Sequence, residues 1–309
     1  MTQLLSFLLK RFFWMIATLW LVFTVSFVLM KLAPGGPFSS ERKVPPAIER
    51  QMEKRFNLDG TPTEQYFDNL ASIVLRWDLG WSLKLEDYSV AEVIGEGFPV
   101  SASLAVFALL FAIVLGVTAG VISAVRRGST ADNAMMVAAV IGIAVPNFVL
   151  ASIAILLFVF GIQVFPAAGW GTLKQVLLPA LCLGSPVAAY IARLTRTGML
   201  ETLTREHVRT AFAKGLPKNQ VIFKHVLPGA MLPVVSYLGP AVARVLTGSL
   251  VLEQIFALPG MGSHFVNAAL QRDYTLAMGM VLTYTVLLFV MNTIVDISYA
   301  VIDPRVKLQ

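Results

Sequence analysis

Two ionised side chains lie deep in runs that are otherwise apolar: Arg244, within LPVVSYLGPAVARVLTGSLVL, and Asp296, in the last apolar run of the chain. A charge in hydrocarbon is costly, so such residues face a bundle interior or water, pair with an opposite charge, or mark the route of a polar solute. Thr247, Ser249, Tyr284 and Asn292 add hydroxyl and amide groups to the same two runs. Their ordinary use is hydrogen bonding between helices. With Arg244 and Asp296 they also form the candidate set for a translocation pathway. This chemistry is binding and passage rather than bond-making. The sequence contains no GxxxxGK[ST], no GxSxG and no HExxH, which removes the usual phosphate cradle, nucleophile elbow and zinc protease site. His207, His225 and His264 are too scattered for a local metal motif, and the single cysteine, Cys182, rules out an internal disulfide, a CxxC pair and a cysteine zinc site. No catalytic residue, metal or bound cofactor is expected.

These groups must be positioned by membrane helices. With 57% hydrophobic and 14% charged residues, the composition is that of an all-α integral membrane protein. Six runs are long enough to span: about 12–30, 103–125, 134–161, 176–194, 232–252 and 275–300. Pro146-Asn147 lies inside the third and predicts a kink there, and Gly116-Val-Thr-Ala-Gly120 in the second is a small-xxx-small pattern that predicts close helix approach. Between the first two spans, residues 38–99 are soluble in character, with eleven acids against seven bases. Ile48, Met52 and Phe56 at four-residue spacing predict one amphipathic helix, and Tyr66, Phe67, Leu70, Ile73, Val74 and Trp77 a second, together a small external lobe. The domain reading is therefore 1–33 for the first membrane helix, 34–95 for the lobe, 96–300 for the remaining five spans and 301–309 for a tail.

Thirteen lysines and arginines, among them Lys10, Arg11, Arg126, Arg127, Arg193 and Arg196, fall at one side of the six spans, whereas the two short loops of the other side hold only Lys174 and Arg272. The excess of basic residues in short loops sets orientation, so both termini are expected in the cytoplasm of a multi-pass protein. The net formal charge of +6 is spread over the ends of these spans and forms no nucleic-acid patch.

The largest interruption is 205–228, REHVRTAFAKGLPKNQVIFKHVLP, with five positive residues. Val208, Ala211, Phe212 and Gly215 repeat at i, i+3, i+4 and i+7, one narrow apolar face. Gly215 suits a left-handed helix end and Pro217 forbids continuation, so helix, stop and second short helix are predicted. Phe212 is the only large side chain on that face, too little for lipid but fit for a protein groove.

At this point a family resemblance emerges. Ala211-x3-Gly215-x9-His225-x-Leu227-Pro228 resembles the EAA loop of ABC importer permeases, EAA-x3-G-x9-I-x-LP, with Arg209 and Thr210 standing where the general pattern has Glu and Ala, and His225 where it has Ile. Those departures are similar to the peptide branch. Ala33-Pro-Gly-Gly-Pro-Phe38, Phe98-Pro-Val-Ser101, Ala192-Arg-Leu-Thr-Arg196, Leu258-Pro-Gly-Met-Gly262, Arg272-Asp-Tyr274 and Ala300-Val-Ile-Asp-Pro-Arg305 follow in the order seen in B-type permease subunits of the peptide/nickel group, oligopeptide importers among them. The resemblance implies the six-helix type I importer fold with 96–300 as its core, in a bacterial cytoplasmic membrane. It implies a homologous second permease as heterodimer partner, two cytoplasmic ABC ATPases that carry ATP and magnesium, and a periplasmic or lipid-anchored peptide-binding protein. The loop would insert its short helix into an ATPase cleft, which assigns Val208, Arg209, Ala211, Phe212, Lys214, Gly215, His225, Leu227 and Pro228 to coupling, with Val208, Ala211 and Phe212 as the knob. Oligopeptides are the expected substrate; dipeptides, nickel or another small solute are the alternatives within the group. A self-contained secondary transporter is the alternative of another class, but no convincing repeat relates 12–160 to 161–300.

Overall fold

The computed structural model describes residues 2–33, 51, 54–56 and 58–302. Ile48 and Met52, two of the three residues that mark the first expected lobe helix, lie outside the described residues, as does most of the tail. Among the described residues the regular structure is helical. Five helices are each long and apolar enough to cross a membrane, and a sixth crossing is available from one bent pair.

The chain divides into two compact units. The first combines the described residues of 1–101 with 259–293. In it α1 (Thr2–Leu32) is a single apolar helix and α2 (Pro62–Arg76) starts at a capping box, Thr61 and Glu64 each bonding the other's backbone. Tyr66, Leu70 and Ile73 of α2 pack on Phe23 and Phe27 of α1. The next helix, α3 (Val90–Val125), begins thirteen residues before the expected span. The reason is packing: Val90 and Val93 are buried with Met261 and Ala268 of α12 (Met261–Gln271) and Ala277 and Met280 of α13 (Tyr274–Ile302). Pro99 is carried inside α3, as prolines can be where neighbouring helices satisfy the freed backbone groups. The segment between the expected spans 232–252 and 275–300 thus holds a helix, α12.

One buried carboxylate organises this unit. Asp273, 1% exposed, accepts bonds from the Ser82 hydroxyl, from the Leu83 amide (3.1 Å) and the Lys84 amide (3.3 Å), and caps α13 through the Leu276 amide (3.1 Å). It joins the 79–89 loop to the head of the last membrane helix.

The second unit combines 102–258 with 294–306 as far as these are described. Here α6 (Leu173–Leu203) is the central element, with sixteen buried residues. It runs nine residues past the expected span because its last turns are covered by the loop that follows. Gly116 and Gly120 do what their spacing predicts: a Cβ on Gly116 would stand 2.6 Å from the Ala188 carbonyl of α6, and one on Gly120 2.7 Å from that of Ala192. The third span departs from a simple kink. α4 (Thr130–Ala144) and α5 (Asn147–Ala154), the latter extended by a π-helical turn Ile155–Gly161, meet at 111°. Pro146 supplies no N–H and forces Val145 out of the helical region, so the ladder ends at Val145 N–H to Ile141.

Candidate functional site

The 205–228 loop folds as its residues dictate. Arg205 is extended at the N-cap of α7 (Glu206–Ala213), and the helix ends in two crossed bonds, Gly215 N–H to Phe212 (2.9 Å) and Leu216 N–H to Ala211 (3.4 Å), with Gly215 at φ +75°. That is a Schellman end, and it needs a residue that tolerates positive φ. Pro217 then caps α8 (Lys218–Val221), which passes through a π-helical turn Ile222–Val226 into α9 (Leu227–Ala230). Pro228 explains the wide turn: in a regular α-helix its ring would collide with the Lys224 carbonyl and its missing N–H would break the ladder. The His225 carbonyl is met by Nε2 of His207 at 3.3 Å, the ring nitrogen donating, which closes α7 against the turn.

Packing divides the loop into two sets. Val208, Ala211, Val221, Ile222, Val226 and Ala230 are buried in one cluster with Ala124 of α3 and Met199 of α6. Val208 and Ala211 are therefore not part of an outward knob, as expected above; the ends of α3 and α6 cover their face. Phe212 remains outward at 44% exposure, with Arg209 and Lys214 exposed beside it in sequence. Phe223, 61% exposed on the π-helical turn, is a second outward aromatic that sequence reading did not single out. Its signal was there: a large aromatic between Ile222 and Lys224 in the most basic segment of the chain. Leu227 is half-buried against the cluster and His225 half-buried.

Beside this cluster the helix ends are pinned by an ion pair. Arg196 of α6 meets Asp132 of α4 with both Nε–Oδ1 (2.8 Å) and Nη2–Oδ2 (2.9 Å). The Gly128 amide (2.9 Å) and the Ser123 hydroxyl of α3 donate to the same carboxylate. The Asp132 side chain is 3% exposed and that of Arg196 26%. The two-pronged, charge-assisted geometry is the strong form of this contact, and it fastens α3, α4 and α6 together.

The candidate pathway residues are divided between the two units. Arg244 is exposed on α10 (Leu232–Gly248), in line with Pro233, Pro240 and Gly248 on a face that the described residues leave uncovered. Thr247 bonds back to the Ala243 carbonyl (2.9 Å). Ser249 is fully buried and donates to Glu253 Oε1 (2.6 Å) of the short helix α11 (Leu250–Ile255). The Tyr284 ring packs edge-on to Phe265 in the core of the first unit, centroids 6.4 Å apart, and is a packing residue. Asn292 is exposed and Asp296 half-buried, both on α13. Two tyrosines that were not singled out meet between these helices: Tyr190 of α6 and Tyr237 of α10 pack with ring centroids 4.3 Å apart.

Residues 116–308 match the family model described as binding-protein-dependent transport system inner membrane component. The chain is 44% identical over 302 residues, 98% of both chains, to the dipeptide transport system permease protein DppB of Bacillus subtilis. It is 42% identical over 306 residues, 98% of this chain and all of the other, to the oligopeptide transport system permease protein OppB of Salmonella typhimurium, and equally to that of Escherichia coli. A solved structure titled as an amino acid ABC transporter with histidines superposes with a TM-score of 0.52 over 70% of this chain and 95% of its own, at 13% identity. That likeness bears on the fold.

Proposed function

This chain belongs to the binding-protein-dependent transport system inner membrane component family, a multi-pass membrane subunit of ABC importers, and from that premise we propose that it imports peptides as one half of a heterodimeric channel. Oligopeptides are the first reading, and dipeptides the second because of the likeness to a dipeptide permease. Two cytoplasmic ATPases hydrolyse ATP, and an external binding protein delivers the peptide; both termini face the cytoplasm. The uncovered face of α10 with Arg244 turns toward the second permease and the peptide route.

The observation that carries the coupling role is the division of the loop. Phe212 and Phe223 project from it, while Val208, Ala211 and Val226 root it in the ends of α3 and α6. A motion delivered to the exposed aromatics is passed to the spans, since a close-packed cluster transmits strain instead of absorbing it.

The test is ATP-dependent uptake of labelled peptides in proteoliposomes holding the whole transporter. Phe212→Ala should lower uptake at least tenfold at unchanged amounts of assembled chain. Val208→Ala should instead lower the thermal stability of the subunit by about 1–2 kcal/mol, the range for losing buried methyl groups. Full uptake by the Phe212 variant would overturn the coupling role, and uptake driven by an ion gradient without ATPases would overturn the importer reading. Competition between dipeptides and longer peptides decides the substrate.

A further inference from the structure

The helix α2 was expected in an external lobe, yet its contacts lie at membrane depth. Arg11 and Lys31 bracket the apolar part of α1, and the twenty-residue step from one to the other rises about 30 Å, the thickness of the hydrocarbon core. Lys31 therefore marks the boundary at that end. The Tyr66 hydroxyl of α2 bonds Thr24 (2.8 Å), and Gln65 bonds Lys31. Thr24 lies about 10 Å inside Lys31 along the helix. A second ruler agrees: Leu70 and Ile73 belong to the cluster formed with Met278 and Leu282 of α13, and Leu282 is about 12 Å from the head of that helix at Tyr274.

The arrangement of side chains around α2 fits that depth. At 100° per residue, Tyr66, Leu70 and Ile73 form one edge of an apolar arc about 200° wide, continued by Val74, Phe67, Ala71 and Leu75. The first edge is covered by α1. The described residues leave the rest bare: Phe67 is 65% exposed, Leu75 78%, and Trp77 at the C-cap 90%. Gln65, Asp68, Asn69 and Ser72 occupy the opposite arc and line a cavity of about 250 Å³ that Lys31 and Asp78 share. Val25, Val28, Leu29 and Leu32 of α1 are exposed too, so the bare arc of α2 continues an apolar surface that already faces acyl chains. Trp77 sits at φ +55°, a conformation that costs a bulky residue about 1–2 kcal/mol, and one that leaves an amphipathic ring at the bilayer boundary, where tryptophan is favoured.

We propose that α2 is a membrane-embedded interfacial helix: Phe67, Val74 and Leu75 lie among lipid acyl chains in the leaflet at the Lys31 end of α1, with Trp77 at the edge of the hydrocarbon, while its polar arc faces the cavity. This requires only that α1 and α13 span the bilayer, and it stands or falls separately from the coupling role of the 205–228 loop.

The experiment uses the full transporter in lipid nanodiscs, with Cys182→Ala removing the native thiol and a nitroxide placed at Phe67→Cys, Leu75→Cys or Asn69→Cys in turn. Collision rates with oxygen, which concentrates in hydrocarbon, are compared with those of a water-soluble nickel chelate. At 67 and 75 oxygen should dominate at least threefold over its ratio at 69, where the chelate should prevail. Chelate dominance at 67 and 75 would make α2 part of an aqueous lobe and overturn the proposal; exclusion of both reagents there would mean a protein partner covers the arc, and would overturn it equally. As a label-free readout, brominated-chain phospholipid should quench less of the tryptophan emission in Trp77→Phe than in the parent; equal quenching would count against burial in lipid.

Discussion

Replacing Arg196 by methionine should loosen the helical bundle to a degree that can be read at a distant native thiol. The substitution leaves the Asp132 carboxylate, 3% exposed, with the Ser123 hydroxyl and the Gly128 amide as donors and no cation. Removing one partner of a buried pair costs about 3–5 kcal/mol. The lower end applies here, about 3 kcal/mol, because two donors remain and Arg196 is itself 26% exposed. Cys182, the single cysteine, is buried on α6, the helix that carries Arg196. Its reaction with a maleimide requires α6 to part from its neighbours. At 1.4 kcal/mol per decade, the open population and the labelling rate should rise about 100-fold. Asp132→Leu combined with Arg196→Met should fall back to within about tenfold of the parent, since an apolar pair in place of a buried ion pair is often neutral. The measurement is the labelling rate in nanodiscs at fixed reagent concentration. A parental rate in Arg196→Met, or a double variant as fast as the product of the single effects, would refute the claim that this pair fastens α3, α4 and α6.

Two further outcomes follow from the geometry. Asp273→Ala removes the acceptor for Ser82, Leu83, Lys84 and Leu276; with hydrogen bonds to a charged group at about 1.5–3 kcal/mol, the amides of Leu83 and Lys84 should exchange at least tenfold faster, and unchanged exchange would show the loop to be held by other means. At Gly215, where a Cβ would meet nothing within 4 Å, only the backbone should matter: peptide uptake should fall from Gly to Asn to Ala, because Asn tolerates positive φ and Ala pays about 1–2 kcal/mol. A ranking by side-chain volume would contradict this.

The spans were legible because apolar length and the placement of lysine and arginine are local signals. So were the halves of the coupling loop, where glycine and two prolines punctuate a short periodic segment. What was not legible depends on distance along the chain. Val208 and Ala211 announced an apolar face, but nothing local says whether the surface that covers it belongs to a partner or to the chain's own α3 and α6. The carboxylate of Asp132 finds its arginine 64 residues later, and Asp273 its loop some 190 residues earlier; nothing near either residue in sequence announces its partner. Pro146 signalled a break without its angle of 111°. The lobe helix α2 was seen by its periodicity, but its depth is set by Thr24 and Leu282, on helices far away in sequence.

The split between rooted and projecting residues in the 205–228 loop also bears on how such a subunit can change in evolution. Val208, Ala211, Ile222 and Val226 answer to the ends of α3 and α6, while Phe212, Phe223, Arg209 and Lys214 answer to whatever docks there. On the proposed coupling role, the two sets share no residue, so the docking face can drift to match a different ATPase without disturbing the packing that holds the loop. The motor and the channel can therefore be exchanged between transporters as separate parts, and a hybrid built by swapping those four outward positions should assemble with the new motor on an unchanged channel.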